Sequence, residues 1–346
     1  MLSSKSSNAI IAKARAKYGK SLSVKDYTEL TNCHSVSEVA SYLKTHTVYD
    51  QTLAGLNENE VHRGQLEAIL KQKLYADIIS LSKYETSKRF TTSGYMIGRL
   101  EIEQIIKCLT MLNIGRPEDY LYSAPFSYSS FLNVNIQSLS KARTYDEILE
   151  VLKGSIYYQA LKKCQPADEN EKVSISEAET EMMKALVKNV FENISRIKAK
   201  SEREELNDLF SAYIDYKNIS TIFRMKRYYN FSTDKIRELL LPYGKLSDKK
   251  LSQLCESSGH GNVIQIAKKT YLGSAVRKLH YNDQIQIFYA LMTTHCKKLL
   301  HLSLNPEVVM ASYMFLTDTE LVNIVNIIEG TRYTISSDEK FKLLVL

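Results

Sequence analysis

One helical phrase occurs three times in this chain. It consists of an acidic residue, any two residues, a residue with a side-chain amide, and an isoleucine. Its copies begin 114 and 105 residues apart, and each interval is close to one third of the 346 residues. Apolar residues follow seven and eight places after each acid. On a helix that turns by about 100° per residue, these positions share one face with the acid. The three acid and amide pairs are Glu101 with Gln104, Asp215 with Asn218, and Glu320 with Asn323.

A carboxylate within an apolar helical face costs free energy unless it is hydrogen-bonded or paired. Its threefold recurrence with the same apolar continuation predicts that one structural unit was triplicated, although a single copy would mean nothing. We therefore treat the six acids and amides as structural repeat candidates. The alternative is a cluster of carboxylates for acid–base chemistry, which would require the three helices to converge.

The rest of the chain supports a division into thirds. A long amphipathic segment precedes each copy of the phrase, and a second element ends at Tyr49, recurs with its end at Tyr157, and has a fainter echo that ends at Tyr271. Glycine (12) and proline (5) are sparse, so an all-α fold is predicted. A single core usually stops growing at about 250–300 residues.

The predicted organisation is three similar helical bundles, formed by residues 1–115, 116–230 and 231–346. Pseudo-three-fold symmetry would follow from the triplication.

Several function classes find no support. Gly19-Lys-Ser21 resembles the end of a phosphate-binding loop, but Ala14 stands where that loop needs a glycine. The cysteines and histidines lack zinc spacing, and no catalytic order of residues stands out. No metal, cofactor or small-molecule substrate is therefore predicted. The five cysteines are interpreted as reduced thiols of a cytosolic protein. No apolar run approaches the ~18–20 residues that span a membrane.

The net charge of +7 suits a surface that faces acidic partners or phospholipid. The basic excess is concentrated at the start of the chain, and a second basic stretch lies at residues 224–229. The possible partner-contact residues are Arg15, Lys17, Arg224 and Arg227. The acid-free opening is either a transit peptide or, as we prefer, a basic first helix of the fold. The basic and aromatic stretch from 224 to 229 is either an RNA contact or, as we prefer, a solvated helix end.

These features together resemble the C subunit of prokaryotic V-type (A-type) rotary ATPases, the counterpart of the eukaryotic d subunit. The resemblance covers essentially the whole chain. It lies in Ala14 to Lys44, Gly98 to Ile105, Asp215 to Lys226, and Asn305 to Ile324, and the third of these is the most specific. Gln104 departs from the asparagine that is frequent in the family, and Asp215 is shorter than the glutamates of the other copies.

The resemblance implies an all-α funnel of three similar domains without catalytic activity. Such a protein lies in the central stalk, peripheral on the cytoplasmic face of the membrane. It is a socket that receives the rotor-shaft subunits D and F, rests on the proteolipid (c/K) ring, and transmits torque between ATP turnover and ion transport. No nucleic acid is expected. The coupled ion, H⁺ or Na⁺, stays open.

Two other functions remain as alternatives. One is a cytosolic helical adaptor or RNA-binding protein that uses the basic N-terminus and residues 224–229. The other is a helical enzyme built on Glu101, Asp215 and Glu320.

Overall fold

The computed structural model describes residues 2–58, 60–85, 91–168, 171–229, 231–277 and 286–346. Over these residues the protein is helical without a strand, which confirms the predicted all-α class. The helices are α1 (Leu2–Tyr18), α2 (Val24–Asn32), α3 (Val36–His46), α4 (Asp50–Leu53), α5 (Arg63–Ser82), α6 (Thr92–Asn113), α7 (Tyr120–Ser123), α8 (Ile136–Leu139), α9 (Tyr145–Val151), α10 (Tyr158–Lys163), α11 (Ile175–Ser195), α12 (Lys200–Arg224), α13 (Thr233–Glu238), α14 (Asp248–Glu256), α15 (His260–Ala267), α16 (Gly273–Val276), α17 (Ile287–Leu302), α18 (Pro306–Arg332) and α19 (Ser337–Lys342). Two 3-10 turns (Pro117–Asp119 and Phe126–Phe131) and a π-helical turn (Met225–Tyr229) complete the described elements.

Helix starts follow from local capping chemistry. Helix α2 begins after Ser23, whose hydroxyl accepts a hydrogen bond from the Asp26 amide while the Asp26 carboxylate accepts one from the Ser23 amide. Helix α18 begins after Asn305, whose side chain caps the helix, and Pro306 occupies the first helical position. Proline suits that position because its missing N–H would have no partner within the helix.

Contacts between α-carbons divide the chain into two compact units. Unit 1 comprises Met1–Thr86, Ile222–Tyr229 and Lys249–Leu346, and unit 2 comprises Ser87–Thr221 and Asn230–Asp248. The N-terminal and C-terminal parts of the chain therefore share one unit. The division into three bundles at residues 115 and 230 stays a prediction about repeated structure.

Unit 1 is built around the long helix α18, which packs against α17, α1, α5 and α3. Its core includes fully buried side chains from both ends of the chain, such as Leu30, Leu43 and Leu66 from the first part and Ile324 and Ile328 from the last. The N-terminal basic segment is helical here, in keeping with a first helix of the fold.

In unit 2 the principal pair is α6 and α11, whose axes approach closely at Gly98. A Cβ atom at this position would overlap the end of the Leu186 side chain on α11, so a larger residue there would force Leu186 to move. The contact matters for function because Glu101, the first repeated acid, follows Gly98 by one helical turn.

One described helix passes a composition test for a membrane span. Helix α18 is long and apolar enough, by length and composition alone, to cross a membrane. However, 78% of its most apolar window is buried inside the protein. A core helix passes the same test, so this helix is weak evidence for a membrane span.

Candidate functional site: three buried acids and their donors

The first repeated acid, Glu101, is 3% exposed and accepts hydrogen bonds from three residues. The backbone amides of Asn133 and Val134 donate to Oε1 at 2.5 and 3.3 Å, and the Asn133 side-chain amide donates to the same oxygen at 3.1 Å. The hydroxyl of Tyr157 donates to Oε2 at 2.8 Å. These donors compensate the loss of hydration that burial imposes on the carboxylate.

The second acid, Asp215, is fully buried and accepts from two consecutive backbone amides. Lys245 N lies 2.9 Å from Oδ2, and Leu246 N lies 3.1 Å from the same oxygen. Gly244 makes this approach possible, because a Cβ atom there would overlap the Asp215 carboxylate. The preceding residue, Tyr243, has φ of 75°, a left-handed conformation that is uncommon for a bulky side chain.

The third acid, Glu320, is 8% exposed and has two donors. The backbone amide of Leu22, which lies 298 residues earlier in the chain, donates to Oε2 at 2.9 Å, and the hydroxyl of Tyr49 donates to Oε1 at 2.8 Å. Burial raises the pKa of the Glu320 carboxyl above its ordinary value, and the bonds from Leu22 and Tyr49 and the charge of Lys73 oppose that rise.

The three acids thus share one arrangement: each carboxylate on a long helix accepts from backbone amides of a segment remote in the sequence. The donors lie about 30 residues after Glu101 and Asp215, whereas Glu320 uses the N-terminal part of the chain. A tyrosine hydroxyl adds a further bond to Glu101 and to Glu320. Each carboxylate therefore connects a helix to another segment of the chain through hydrogen bonds, which is a structural role.

Two of the repeated amides make the same contact. Asn218 Oδ1 accepts from Leu241 N at 2.8 Å and its Nδ2 donates to Leu241 O at 2.9 Å. Asn323 does the same with Val345, at 2.9 and 2.7 Å. Gln104, which is one methylene longer, instead accepts from the hydroxyl of Tyr120 at 3.3 Å. Gln104 therefore bonds to a side chain, whereas the two asparagines bond to backbone groups.

The N-terminal basic candidates make contacts within the chain. Arg15 donates to the carbonyl oxygens of Leu300 at 2.8 Å, Ser303 at 2.8 Å and His301 at 3.1 Å, and so closes the C-terminal end of α17. The Arg15 guanidinium is therefore engaged in contacts within the chain that stabilise the fold.

Lys17 forms an ion pair of 2.5 Å with Asp77, which also accepts from Lys73 at 3.1 Å and from the hydroxyl of Tyr313 at 2.7 Å. Burial would raise the pKa of Asp77, but the Lys17 hydrogen bond, the charge of Lys73 and the Tyr313 hydroxyl together lower it. Helices α1, α5 and α18 therefore meet at one charged group.

The second basic stretch lies at the end of α12 and in the π-helical turn. Arg224 is exposed, whereas the guanidinium of Arg227 stacks over Phe223 and Tyr228, at 5.8 and 5.2 Å from the ring centroids. Lys226 donates to the Ser257 carbonyl at 2.7 Å. Part of this stretch thus stabilises unit 1, and Arg224 is the candidate left facing solvent.

Sequence reasoning missed most of the donors. Backbone amides at Leu22, Asn133 and Leu246 carry no side-chain signal, so no motif could reveal them. The tyrosines were recognisable: Tyr49 and Tyr157 end the second recurring element, and each donates to a repeated acid.

Comparison of the sequence with known families assigns the chain to one of them. The family described as ATP synthase (C/AC39) subunit matches residues 10–340. The chain belongs to this ATP synthase C/AC39 family. As a member it is a non-catalytic component of a rotary ATPase, which is a membrane-associated complex.

Relatives named as the C subunit of the A-type ATP synthase align with much of this family member. The protein of Pyrococcus abyssi is 23% identical over 270 residues, which cover 78% of this chain and 69% of the relative. Those of Methanosphaera stadtmanae and Methanobrevibacter smithii are each 24% identical, over 77% and 83% of this chain and 66% and 73% of the relatives.

Proposed function

We propose that this chain is the central-stalk socket of a V/A-type ion-translocating ATPase. It joins the rotor shaft, formed by subunits D and F, to the membrane proteolipid ring on the cytoplasmic face, and it transmits torque between ATP turnover and H⁺ or Na⁺ transport. The family match over residues 10–340 carries this proposal, since it spans nearly the whole chain.

The three acid sites support the mechanical part of the proposal. A torque coupler must keep its helices and loops in fixed positions under load, and a buried carboxylate bonded to remote backbone amides provides such a fixed connection. Each bond to a charged group contributes about 1.5–3 kcal/mol. Triplication of this connection is also what a body of three similar bundles, with pseudo-three-fold symmetry, would require.

The repeated acids and amides have structural roles in this proposal, and partner contact falls to exposed residues such as Arg224. The contacts of the described residues do not favour RNA binding or acid–base catalysis. The guanidinium of Arg227 is stacked within the chain, and at least one carboxylate oxygen of each acid accepts from a backbone amide.

Membrane vesicles that carry the host ATPase test the proposal. Removal of this protein should abolish ATP-driven ion uptake while leaving ATP hydrolysis in the soluble head, and re-addition of the purified chain should restore uptake. The purified chain alone should not hydrolyse ATP. Uptake at the full rate without this protein would contradict the proposal, as would rapid ATP turnover by the isolated chain.

A further inference from the structure

A small cavity in unit 1 contains a lysine, Lys297, that pairs with none of the described residues. The cavity has a volume of about 110 Å³, and its walls include Tyr18, Leu22, Val24, Lys297, Glu320 and Leu346. Within the part of the chain that the structure describes, the Lys297 ammonium has neither a hydrogen-bond nor an ion-pair partner. Lys297 lies on α17 one turn after Thr293, which faces the same cavity.

The surroundings of Lys297 leave its charge poorly solvated. The side chain is half-buried, and burial lowers the pKa of its ammonium group. A cation that has lost part of its hydration without gaining a partner costs free energy in the free chain. The same group gains from an incoming anion, because part of its desolvation has already taken place.

The remaining groups of the cavity indicate what that anion is. The acid of the cavity, Glu320, accepts from Leu22 and Tyr49, and burial raises the pKa of its carboxyl, which favours the neutral form, so the charge left to complement is the Lys297 ammonium. The rim is apolar and exposed, with Val24 at 60% and Leu346 at 45% exposure. The volume is that of one side chain and is far below the ~300–1,000 Å³ of small-molecule sites.

We propose that this cavity receives an aspartate or glutamate side chain of another protein of the complex, which pairs with Lys297 while neighbouring apolar residues of that partner cover Val24 and Leu346. This inference rests on the proposed function, because it presumes that the chain is held in an assembly. It assigns Lys297 to partner recognition and leaves Arg15 and Lys17 to the fold.

The test uses the full chain and membranes from which this protein has been stripped. Lys297→Met should weaken rebinding by at least about tenfold, and Lys297→Glu should weaken it further. The matched control is Lys298→Glu, which makes the same charge change at the adjacent exposed residue and should alter binding by less than about twofold.

The melting temperature of the isolated chain gives a second measurement, because a partner-binding lysine and a lysine required for the fold predict different changes. Since Lys297 is partly desolvated and unpaired among the described residues of the free chain, Lys297→Met should leave the melting temperature unchanged or raise it. A lysine required for the fold would lower it. Chemical labelling of the wild-type chain should modify Lys297 in the free state and should be suppressed at Lys297, but not at Lys298, after rebinding.

The outcomes separate the two proposals. If the wild-type chain does not rebind to stripped membranes, the proposed function fails and this inference fails with it. If the wild-type chain and Lys297→Met rebind equally well, this inference alone is overturned. Binding of the wild-type chain to protein-free vesicles of anionic lipid, lost in Lys297→Met, would also overturn it in favour of a lipid phosphate.

Discussion

Glu101 in unit 2 and Glu320 in unit 1 occupy corresponding positions of the repeated helical phrase, yet they differ in their hydrogen bonds. Glu101 accepts four, two of them from consecutive backbone amides. Glu320 accepts two, and burial raises its pKa. The comparison teaches that the same sequence pattern places an acid in the core, whereas the number of donors supplied from elsewhere in the chain determines how well its charge is held.

The largest effect should come from neutralising each acid in turn. Glu101→Gln keeps one acceptor oxygen but replaces the other by an amide donor and removes the negative charge that its donors face, and we expect it to lower the free energy of unfolding by about 3 kcal/mol. Glu320→Gln should cost only about 1 kcal/mol, because it loses fewer bonds and burial already favours the neutral form. Urea unfolding followed by circular dichroism measures both.

The exposed Glu179 on α11 provides the control for these variants. Glu179→Gln should change the free energy of unfolding by less than about 0.5 kcal/mol. An equal or larger loss for Glu320→Gln than for Glu101→Gln would show that donor number does not distinguish the two sites.

The second effect concerns the remaining acid, Asp215, which depends on a glycine. Gly244→Ala should destabilise the chain by about 2 kcal/mol, because the new methyl group overlaps the Asp215 carboxylate and must push Lys245 N away from it. Gly261→Ala, in α15 with open space around its position, should be neutral or slightly stabilising. Equal melting temperatures for the two variants would refute the role assigned to Gly244.

The third effect compares the two tyrosines. Tyr49→Phe removes one of two donors from Glu320, and we expect a loss of about 2 kcal/mol in unfolding free energy. Tyr157→Phe leaves Glu101 with the bonds from Asn133 and Val134 and should cost about 1 kcal/mol. Thermal unfolding of both variants at neutral pH measures the difference, and the reverse order would break the comparison.

The smallest effect is a dependence on pH. The folded state raises the pKa of Glu320 above its ordinary 4.5, so it binds the proton more tightly than the unfolded chain does. The stability that this group contributes is present at low pH and is lost as the pH rises through the folded pKa. The wild-type chain should therefore lose stability relative to Glu320→Gln as the pH rises above about 4.5.

Asp77 should act in the opposite direction, because its pKa is lowered below 3.8. Its contribution is present above that value and is lost as the pH falls through the folded pKa. A difference between wild type and Glu320→Gln that is independent of pH would contradict the assignment of a raised pKa to Glu320.

The sequence predicted part of this arrangement. The spacing of Ile324 and Ile328 behind Glu320 placed the acid on a buried face, because helical periodicity depends only on local sequence. Tyr49 and Tyr157 were recognised as equivalent, but their contacts with the acids depend on how remote segments pack. The amide of Leu22 could not be identified, since every residue offers the same backbone donor.

Helix α18 shows a different limit of sequence reasoning. Its apolar residues belong to a core that surrounds it on all sides, and composition alone does not distinguish such a helix from a membrane span. Likewise, Lys297 lies in an ordinary amphipathic segment of the sequence. Only the packing of unit 1 reveals that its ammonium is half-buried and lacks a partner among the described residues.

The central claim is that the repeated acids hold together a non-catalytic coupling protein. Its most direct test is ATP-driven ion uptake by complexes assembled with Glu101→Gln, measured with the stability of the same variant. The account predicts a destabilised chain that, at temperatures where it remains folded and assembled, supports uptake at the wild-type rate per complex. A variant of undiminished stability that assembles fully yet supports no uptake would contradict it.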